Sequence, residues 1–176
     1  MCIRDRAQFG LSHNIPKMKA DLERYGIHYD EWFFESSLHE SGYVAETVQL
    51  LVDAGLTYEK DGALWFKSTD YGDDKDRVLR KSDGTFSYLT PDIANHVYKI
   101  ERGYPLLVNL WGADHHGHVA RLKGAMDALG LDGEHRLDIV LMQLVKLVRD
   151  GEVVRMSKRT GKAISLTAVS YTHLRA

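Results

Sequence analysis

LLVNLWGADHHGH, residues 106–118, is the stretch of this 176-residue sequence that decides the fold. The continuous apolar run 106–111 is bounded by glycines, and such a run predicts a buried parallel strand. A helix is predicted over 116–129, directly after the turn GAD. Strand, glycine turn and helix are half of a βαβ unit, the layout of nucleotide-binding α/β sheets. A second apolar run, 139–148, supplies another buried segment, and we therefore predict an α/β fold.

The remainder of the chain predicts short mixed elements and no internal repeat. Capping residues, helical spacing of apolar residues and turn dipeptides containing glycine mark their bounds. The predicted elements are a helix over 16–25 that begins at Pro16, an aromatic strand over 29–34, a helix over 42–54, hairpins over 58–66 and 77–88, a helix over 90–102, and a turn at 150–151 before a strand over 152–156.

Composition excludes several classes of protein. The net charge of −2 and the charged fraction of 27% indicate that any contact with a polyanion is local. Cys2 is the single cysteine, so no internal disulfide is possible. The sequence contains no apolar run of the roughly 20 residues that a membrane span needs. We therefore expect a cytoplasmic protein without a membrane partner. Residues 1–6 and 169–176 resemble translated sequencing-adapter sequence, and the natural segment is expected to be 7–168.

The loop RMSKRTGK is a concentrated cationic segment that could bind a triphosphate. Lys158, Arg155 and Arg159 supply positive charge, and Ser157 and backbone amides add hydrogen-bond donors. Phosphoryl oxygens gain negative charge when the α-phosphate is attacked, so such a loop can act mainly on the transition state. The alternative is a solvated basic turn, which is common.

The segment GADHHGH follows the predicted strand at the end where ligands bind in open α/β sheets. Asp114 could accept hydrogen bonds from a ribose or from a cationic substrate. His115 and His118 have the spacing of zinc ligands on one helical face, but no other residues complete a tetrahedral set. We therefore predict histidines that bind a ligand or cap the helix, and no protein-bound metal.

The segment YLTPD joins the second hairpin to a helix. Asp92 could simply be a favourable charge at a helix N-terminus. Alternatively, Tyr88, Asp92 and Asp114 face one cleft, where two carboxylates and a phenol would suit a planar guanidinium.

These segments, in this order, resemble arginyl-tRNA synthetases of the bacterial type, within the class I aminoacyl-tRNA synthetases. RMSKR resembles the KMSKS signature, and GADHHGH is similar to the strand-end motif of the family. The other similar segments are VRMSKRTGKAISL, SYLTPDIANHVYKIERG with its Tyr-x-x-x-Asp pattern, and WFFESSLHESGYVAETVQLL, which resembles the connective insertion. The resemblance implies a connective insertion region over 7–88. It also implies that 89–168 form the second half of a Rossmann-like nucleotide-binding domain, ending in the KMSKS-like loop.

The resemblance also implies a role for each matching residue. The arginine substrate would be bound by Tyr88 and Asp92, and by Asp114, which stands where many relatives have a glutamine and could serve the ATP ribose instead. The triphosphate would be stabilised by Lys158 and by Arg155 and Arg159, although Arg155 replaces the lysine of the family signature. The remaining residues expected near ATP are Gly112, His115, His116, His118, Met156 and Ser157.

The implied reaction converts arginine and ATP, with Mg²⁺, into arginyl-adenylate and pyrophosphate, and then transfers the arginyl group to tRNA(Arg). The resemblance implies a monomeric parent enzyme. The HIGH motif of the family has no counterpart in its usual role here, so the isolated chain is expected to be inactive. The alternative from a different class is a non-catalytic nucleotide-binding or RNA-binding module.

Overall fold

A computed structural model describes residues 3–143, 145–146, 148–149 and 151–153. The chain forms two compact units, which we call the terminal unit (Met1–Trp32 and Val145–Ala176) and the central unit (Phe33–Leu144). The division of the family regions between residues 88 and 89 stays a prediction.

The elements alternate between helices and short strands. In chain order they are α1 (Ile3–Arg24), α2 (Ser36–Glu40), α3 (Tyr43–Asp53), β1 (Thr57–Lys60), β2 (Ala63–Phe66), β3 (Arg77–Arg80), α4 (Leu89–Glu101), β4 (Leu107–Gly112), α5 (His116–Ala128), α6 (Gly133–Arg136), β5 (Leu137–Met142), β6 (Val148–Arg149) and β7 (Glu152–Val153), with short 3-10 helices at Ser68–Tyr71 and Ala113–His115.

The terminal unit contains α1 and the antiparallel pair β6–β7. The predicted start of the first helix was wrong, because Pro16 lies inside α1. A proline removes one helical hydrogen bond without forbidding helix on both sides, so the proline alone did not fix the start. The strand predicted over 29–34 is absent from the structure. Tyr29 instead meets Trp32 edge to face, with 5.1 Å between ring centroids, because aromatic residues form a strand only where another strand pairs with them.

The first part of the central unit is an antiparallel sheet in the order β1-β2-β3. The hairpin predicted over 58–66 is confirmed by the pairing of β1 with β2. The second predicted hairpin is confirmed only in part. The chain turns at 82–84 and returns through one antiparallel bridge, between Arg80 and Phe86. Backbone hydrogen bonds from Lys81 to Thr85 and from Ser87 to Leu79 flank this bridge, while β3 pairs as a strand with β2. The chain then turns into α4, where the Thr90 hydroxyl donates to the carbonyl oxygen of Leu79 at 2.7 Å.

The second part of the central unit is the parallel pair β4–β5, in register from Leu107↔Leu137 to Gly112↔Met142. This confirms the predicted parallel strand and the α/β class. One face of the pair belongs to a core shared with α4 and α5, whose fully buried members include Ile93, Leu122 and Met126.

The opposite face of the β4–β5 pair is exposed within this chain, so the predicted strand is buried on one face only. Alternate side chains of a strand point to opposite faces. The exposed apolar residues are Val108 and Leu110 on β4, and Val140 and Met142 on β5.

Gly124 is the closest contact between α5 and the 3-10 helix at Ser68–Tyr71. A Cβ at this position would lie 2.6 Å from the carbonyl oxygen of Tyr71. We expect Gly124→Ala to lower the free energy of unfolding of this chain by about 1–3 kcal/mol, because the backbone must move apart.

Gly117 is the matched control on the same helix, since its added Cβ would meet no atom within 4 Å from the other described residues outside its own helix backbone and chain neighbours. Gly117→Ala should leave the free energy of unfolding unchanged or raise it by up to about 1 kcal/mol. Urea denaturation measures this free energy for both variants and for the original chain. Equal effects of the two substitutions would contradict the close approach at Gly124.

Candidate active site

Tyr88 and Asp92 lie one helical turn apart at the start of α4. Tyr88 directly precedes the helix and Asp92 is in its first turn, so both side chains are on one side of the helix. The Tyr88 side chain is almost fully accessible, with 93% of its surface exposed. A phenol and a carboxylate are therefore available to a ligand at this end of α4.

Glu35 adds a second acidic group beside Tyr88 that the sequence analysis missed. Both residues line an open cavity of about 370 Å³, together with His39 and Pro91. Glu35 also lies 3.7 Å from His39, measured between Oε1 and Nε2. The cavity therefore carries a carboxylate, an imidazole and a phenol. Only the position of Glu35 within the segment WFFESSLHES could have drawn attention to it.

The carboxyl end of β4 leads into α5 through a tight turn. Gly112 has an extended backbone, and Ala113–His115 form one 3-10 turn before α5 begins at His116. The side chain of Asp114 is exposed, and its Oδ2 lies 3.9 Å from Nε2 of His115. These polar groups therefore stand at the sheet edge where ligands bind in open α/β folds.

The structure joins Asp92 to this edge through His118. Nε2 of His118 lies 3.0 Å from Oδ2 of Asp92, across the gap between α5 and α4. The Trp111 ring lies between the histidines, with its centroid 5.4 Å from that of His118 and 6.2 Å from that of His115. Asp92 and Asp114 are thus linked by a chain of neighbouring side chains, and Trp111 is a member that the sequence analysis missed.

His116 lies apart from this group. It lines a different cavity, of about 440 Å³, on the side of α5 that carries Lys123 and Asp127. The structure therefore brings His115 and His118 to the Trp111 ring and places His116 elsewhere. Consecutive residues of a helix point in different directions, which explains the separation.

Arg121 and Asp73 extend the Asp92–His118 contact into the interior. Nη1 of Arg121 lies 3.3 Å from Nδ1 of His118, and its Nε donates to Oδ2 of Asp73 at 3.3 Å. Asp73 also accepts two hydrogen bonds of 2.7 Å from Arg77. Burial acts to raise the pKa of Asp73, but the hydrogen bonds from Arg77 and the backbone of Asp74 hold it well below its ordinary value.

His96 holds α4 against β4. Its Nδ1 donates to the carbonyl oxygen of Asp92 at 2.7 Å, because a carbonyl can only accept. Its Nε2 lies 2.8 Å from Nδ2 of Asn109 and therefore accepts from that amide. Burial lowers the pKa of His96 below its ordinary value. A neutral imidazole thus connects the backbone of Asp92 to the central strand.

We expect the stability of this chain to decrease as the pH falls below about 6.5, because unfolded His96 binds a proton there while the folded residue does not. His96→Asn should flatten this part of the curve when the free energy of unfolding is measured by urea denaturation from pH 8 to 5.

His135 provides a control of opposite sign. Its hydrogen bond to Asp132 raises its pKa, so its contribution is present below about 6.5 and is lost as the pH rises through its folded pKa. His135→Asn should therefore change how the free energy of unfolding depends on pH above pH 6.5. If the free energy of unfolding falls equally with pH below 6.5 in the original chain and in His96→Asn, the role given to His96 is contradicted.

The basic loop lies outside the described residues, and so do its candidate residues Arg155, Met156, Ser157, Lys158 and Arg159. Among the residues that the structure describes, no three His, Cys, Asp or Glu side chains converge as a metal site. A search of the same residues finds no helix that could span a membrane.

Comparison with known proteins identifies the class of this chain. The model of a family described as the catalytic domain of class I tRNA synthetases (R) matches residues 15–170. The chain belongs to this family, which confirms the resemblance drawn from its motifs.

The relatives point to one member of the class. An arginine–tRNA ligase of Caldanaerobacter subterraneus subsp. tengcongensis is 59% identical over 160 residues, which are 90% of this chain and 28% of that protein. The arginine–tRNA ligase of Ruminiclostridium cellulolyticum is 58% identical over 159 residues, with the same coverage of both chains. This chain therefore spans little more than a quarter of the length of these relatives.

Two solved structures are similar to this chain in fold. A Campylobacter jejuni structure described as an arginyl-tRNA synthetase matches with a TM-score of 0.83 and 37% identity, over 93% of this chain and 35% of that one. The Thermus thermophilus arginyl-tRNA synthetase matches in fold, with a TM-score of 0.68 and 17% identity, over 80% of this chain and 30% of that one.

Proposed function

We propose that this chain supplies the arginine-binding part and half of the nucleotide-binding part of an arginine–tRNA ligase. The observation that carries the proposal is the placement of Tyr88 and Asp92 on one side of α4, with Glu35 at the cavity beside Tyr88. The relatives, which are arginine–tRNA ligases, support the same substrate.

The guanidinium of arginine suits these side chains chemically. It is planar and permanently charged, and it donates hydrogen bonds in parallel pairs to carboxylates. Asp92 and Glu35 would accept such bonds, and the Tyr88 phenol would pack against the side chain or accept a further hydrogen bond. Asp114 stands close to the nucleotide end and would serve either the arginine or the ATP ribose.

ATP with Mg²⁺ would enter as a substrate complex at the carboxyl end of β4. Gly112, His115 and His116 would stand near the nucleotide. The cations Lys158, Arg155 and Arg159 would stabilise the negative charge that develops on the phosphates, with Met156 and Ser157 beside the nucleotide. The carboxylate of arginine would attack the α-phosphate and release pyrophosphate, and tRNA(Arg) would then take the arginyl group. Positioning and charge stabilisation suffice for this chemistry, since no enzyme nucleophile is required. We further propose a monomeric, cytoplasmic parent enzyme.

The acidic group of Asp92 gives the sharpest test of the arginine site. In the full-length protein that contains this chain, we expect Asp92→Asn to raise KM for arginine roughly 10- to 100-fold, since a charged hydrogen bond is lost. KM for ATP should change little, and both constants can be measured by ATP–pyrophosphate exchange in the presence of tRNA.

Glu59→Gln is the control for loss of one negative charge, because Glu59 is exposed on β1 and its ion pair among the described residues is a long one, 4.0 Å to Arg80. Its kinetic constants should equal those of the unaltered enzyme. An unchanged KM for arginine in the Asp92→Asn variant would refute the proposed site.

The isolated chain should not catalyse aminoacylation, because the family resemblance assigns the role of the HIGH motif to none of its segments and because one apolar face of its parallel strands is exposed. We expect no transfer of radiolabelled arginine to tRNA by the 176-residue chain, under conditions where the full-length protein turns over. Turnover by the isolated chain above the level of a Lys158→Ala variant would contradict this expectation.

A further inference from the structure

The contact that orients the Asp92 carboxylate comes from a neighbouring helix. The Asp92 side chain is 42% exposed, whereas that of His118 is only 16% exposed, and Nε2 of His118 reaches Oδ2 of Asp92 at 3.0 Å. One carboxylate oxygen is therefore held from the interior side, while part of the group stays open to a ligand. The orientation of Asp92 depends on what holds His118.

The direction of this hydrogen bond follows from the other side of the His118 ring. Nη1 of Arg121 lies 3.3 Å from Nδ1 of His118, and a guanidinium can only donate. Nδ1 must therefore accept, and a neutral imidazole then carries its hydrogen on Nε2. That hydrogen points at Oδ2 of Asp92.

Arg121 is itself fixed by buried charge. Its Nε contacts Oδ2 of Asp73, whose side chain is only 3% exposed. Asp73 accepts two hydrogen bonds of 2.7 Å from Arg77. The hydrogen-bond direction is thus set from the interior outwards, from Arg121 to His118 and from His118 to Asp92. The Trp111 ring, 5.4 Å away, limits the movement of the imidazole on its other side.

We propose that His118 is a positioning residue for arginine recognition, which holds the Asp92 carboxylate in place through a hydrogen bond donated by Nε2, in a direction set by Arg121. This inference rests on the proposed function, since it assumes that Asp92 binds arginine. A hydrogen bond to Oδ2 fixes the direction of the second carboxylate oxygen, which stays available to the guanidinium. The competing assignments are a contact of His118 with the nucleotide and a purely structural link between α4 and α5.

The test uses the full-length protein and compares His118→Phe with His118→Gln. Phenylalanine keeps a ring beside Trp111 but cannot donate to Asp92. Glutamine can accept from Arg121 through its oxygen and donate to Asp92 through its nitrogen. We expect His118→Phe to raise KM for arginine about tenfold, the effect of one lost hydrogen bond to a charged group. KM for ATP should stay within about twofold. His118→Gln should restore most of the affinity for arginine.

A double-mutant cycle with Asp92→Asn shows whether His118 acts through Asp92. If it does, His118→Phe should add little to KM for arginine once Asp92 is already asparagine, because neighbouring residues that act on one contact are not additive. Fully additive effects would overturn the proposal. His28→Phe is the matched control, since His28 is exposed and pairs only with Glu23 among the contacts of the described residues.

The outcomes separate the two proposals. An Asp92→Asn variant with unchanged KM for arginine would refute the arginine site itself. A raised KM in that variant, together with an unchanged KM in His118→Phe, would overturn only the role of His118. A rise confined to KM for ATP would assign His118 to the nucleotide and overturn the proposal as well.

If His118→Phe does not fold, as judged by circular dichroism, His118→Asn takes its place. Asparagine is too short to reach both Asp92 and Arg121, whereas glutamine can. A higher KM for arginine in the asparagine variant than in the glutamine variant supports the proposal, and equal values overturn it.

Discussion

Backbone hydrogen bonds between β4 and β5 hold together the two halves of the βαβ unit in the central part of this protein. The six-residue parallel register, from Leu107↔Leu137 to Gly112↔Met142, requires the chain to cross back over one face of the pair. That crossing places α5 beside α4 on the same face, where their apolar side chains form the core. The carboxyl end of β4 then fixes where α5 begins, and so which of its residues reach α4.

The contacts among the polar side chains between Asp73 and Asp92 follow from the free-energy cost of burying a charge. Asp73 is almost fully buried and is paired with Arg77 and Arg121, as a buried carboxylate must be. Arg121 in turn reaches His118, and His118 reaches Asp92 at the surface. His96, one turn further along α4, holds the Asp92 backbone to Asn109 of β4. The start of α4 is therefore fixed through both its backbone and its side chains, which suits the role in arginine binding proposed for Asp92.

The sequence predicted long elements and motif order well. The glycine-bounded strand, its following helix and the helix beginning near Thr90 all agree with the structure within a residue or two. Their apolar periodicity is sustained, and their ends carry glycines or capping residues. The aromatic strand at 29–34 did not form, and the second hairpin formed only as one bridge, because a strand is made by its partner and the partner of β3 proved to be β2. Pairing between distant segments has no local mark in a sequence.

The same distinction applies to the candidate site. Tyr88, Asp92 and the GADHHGH segment were recognisable, because residue types and spacing carry chemical meaning by themselves. Glu35, Asp73, Arg121 and Trp111 were not, since each lies far along the chain from Asp92 or carries no motif. The sequence by itself determined the α/β class, the family and the residues one helical turn apart at the start of α4. Only the tertiary structure decided which side chains meet: His118 reaches Asp92 while His116 lies at a different cavity, because helix rotation and the parallel pairing of β4 with β5 set the direction of each side chain.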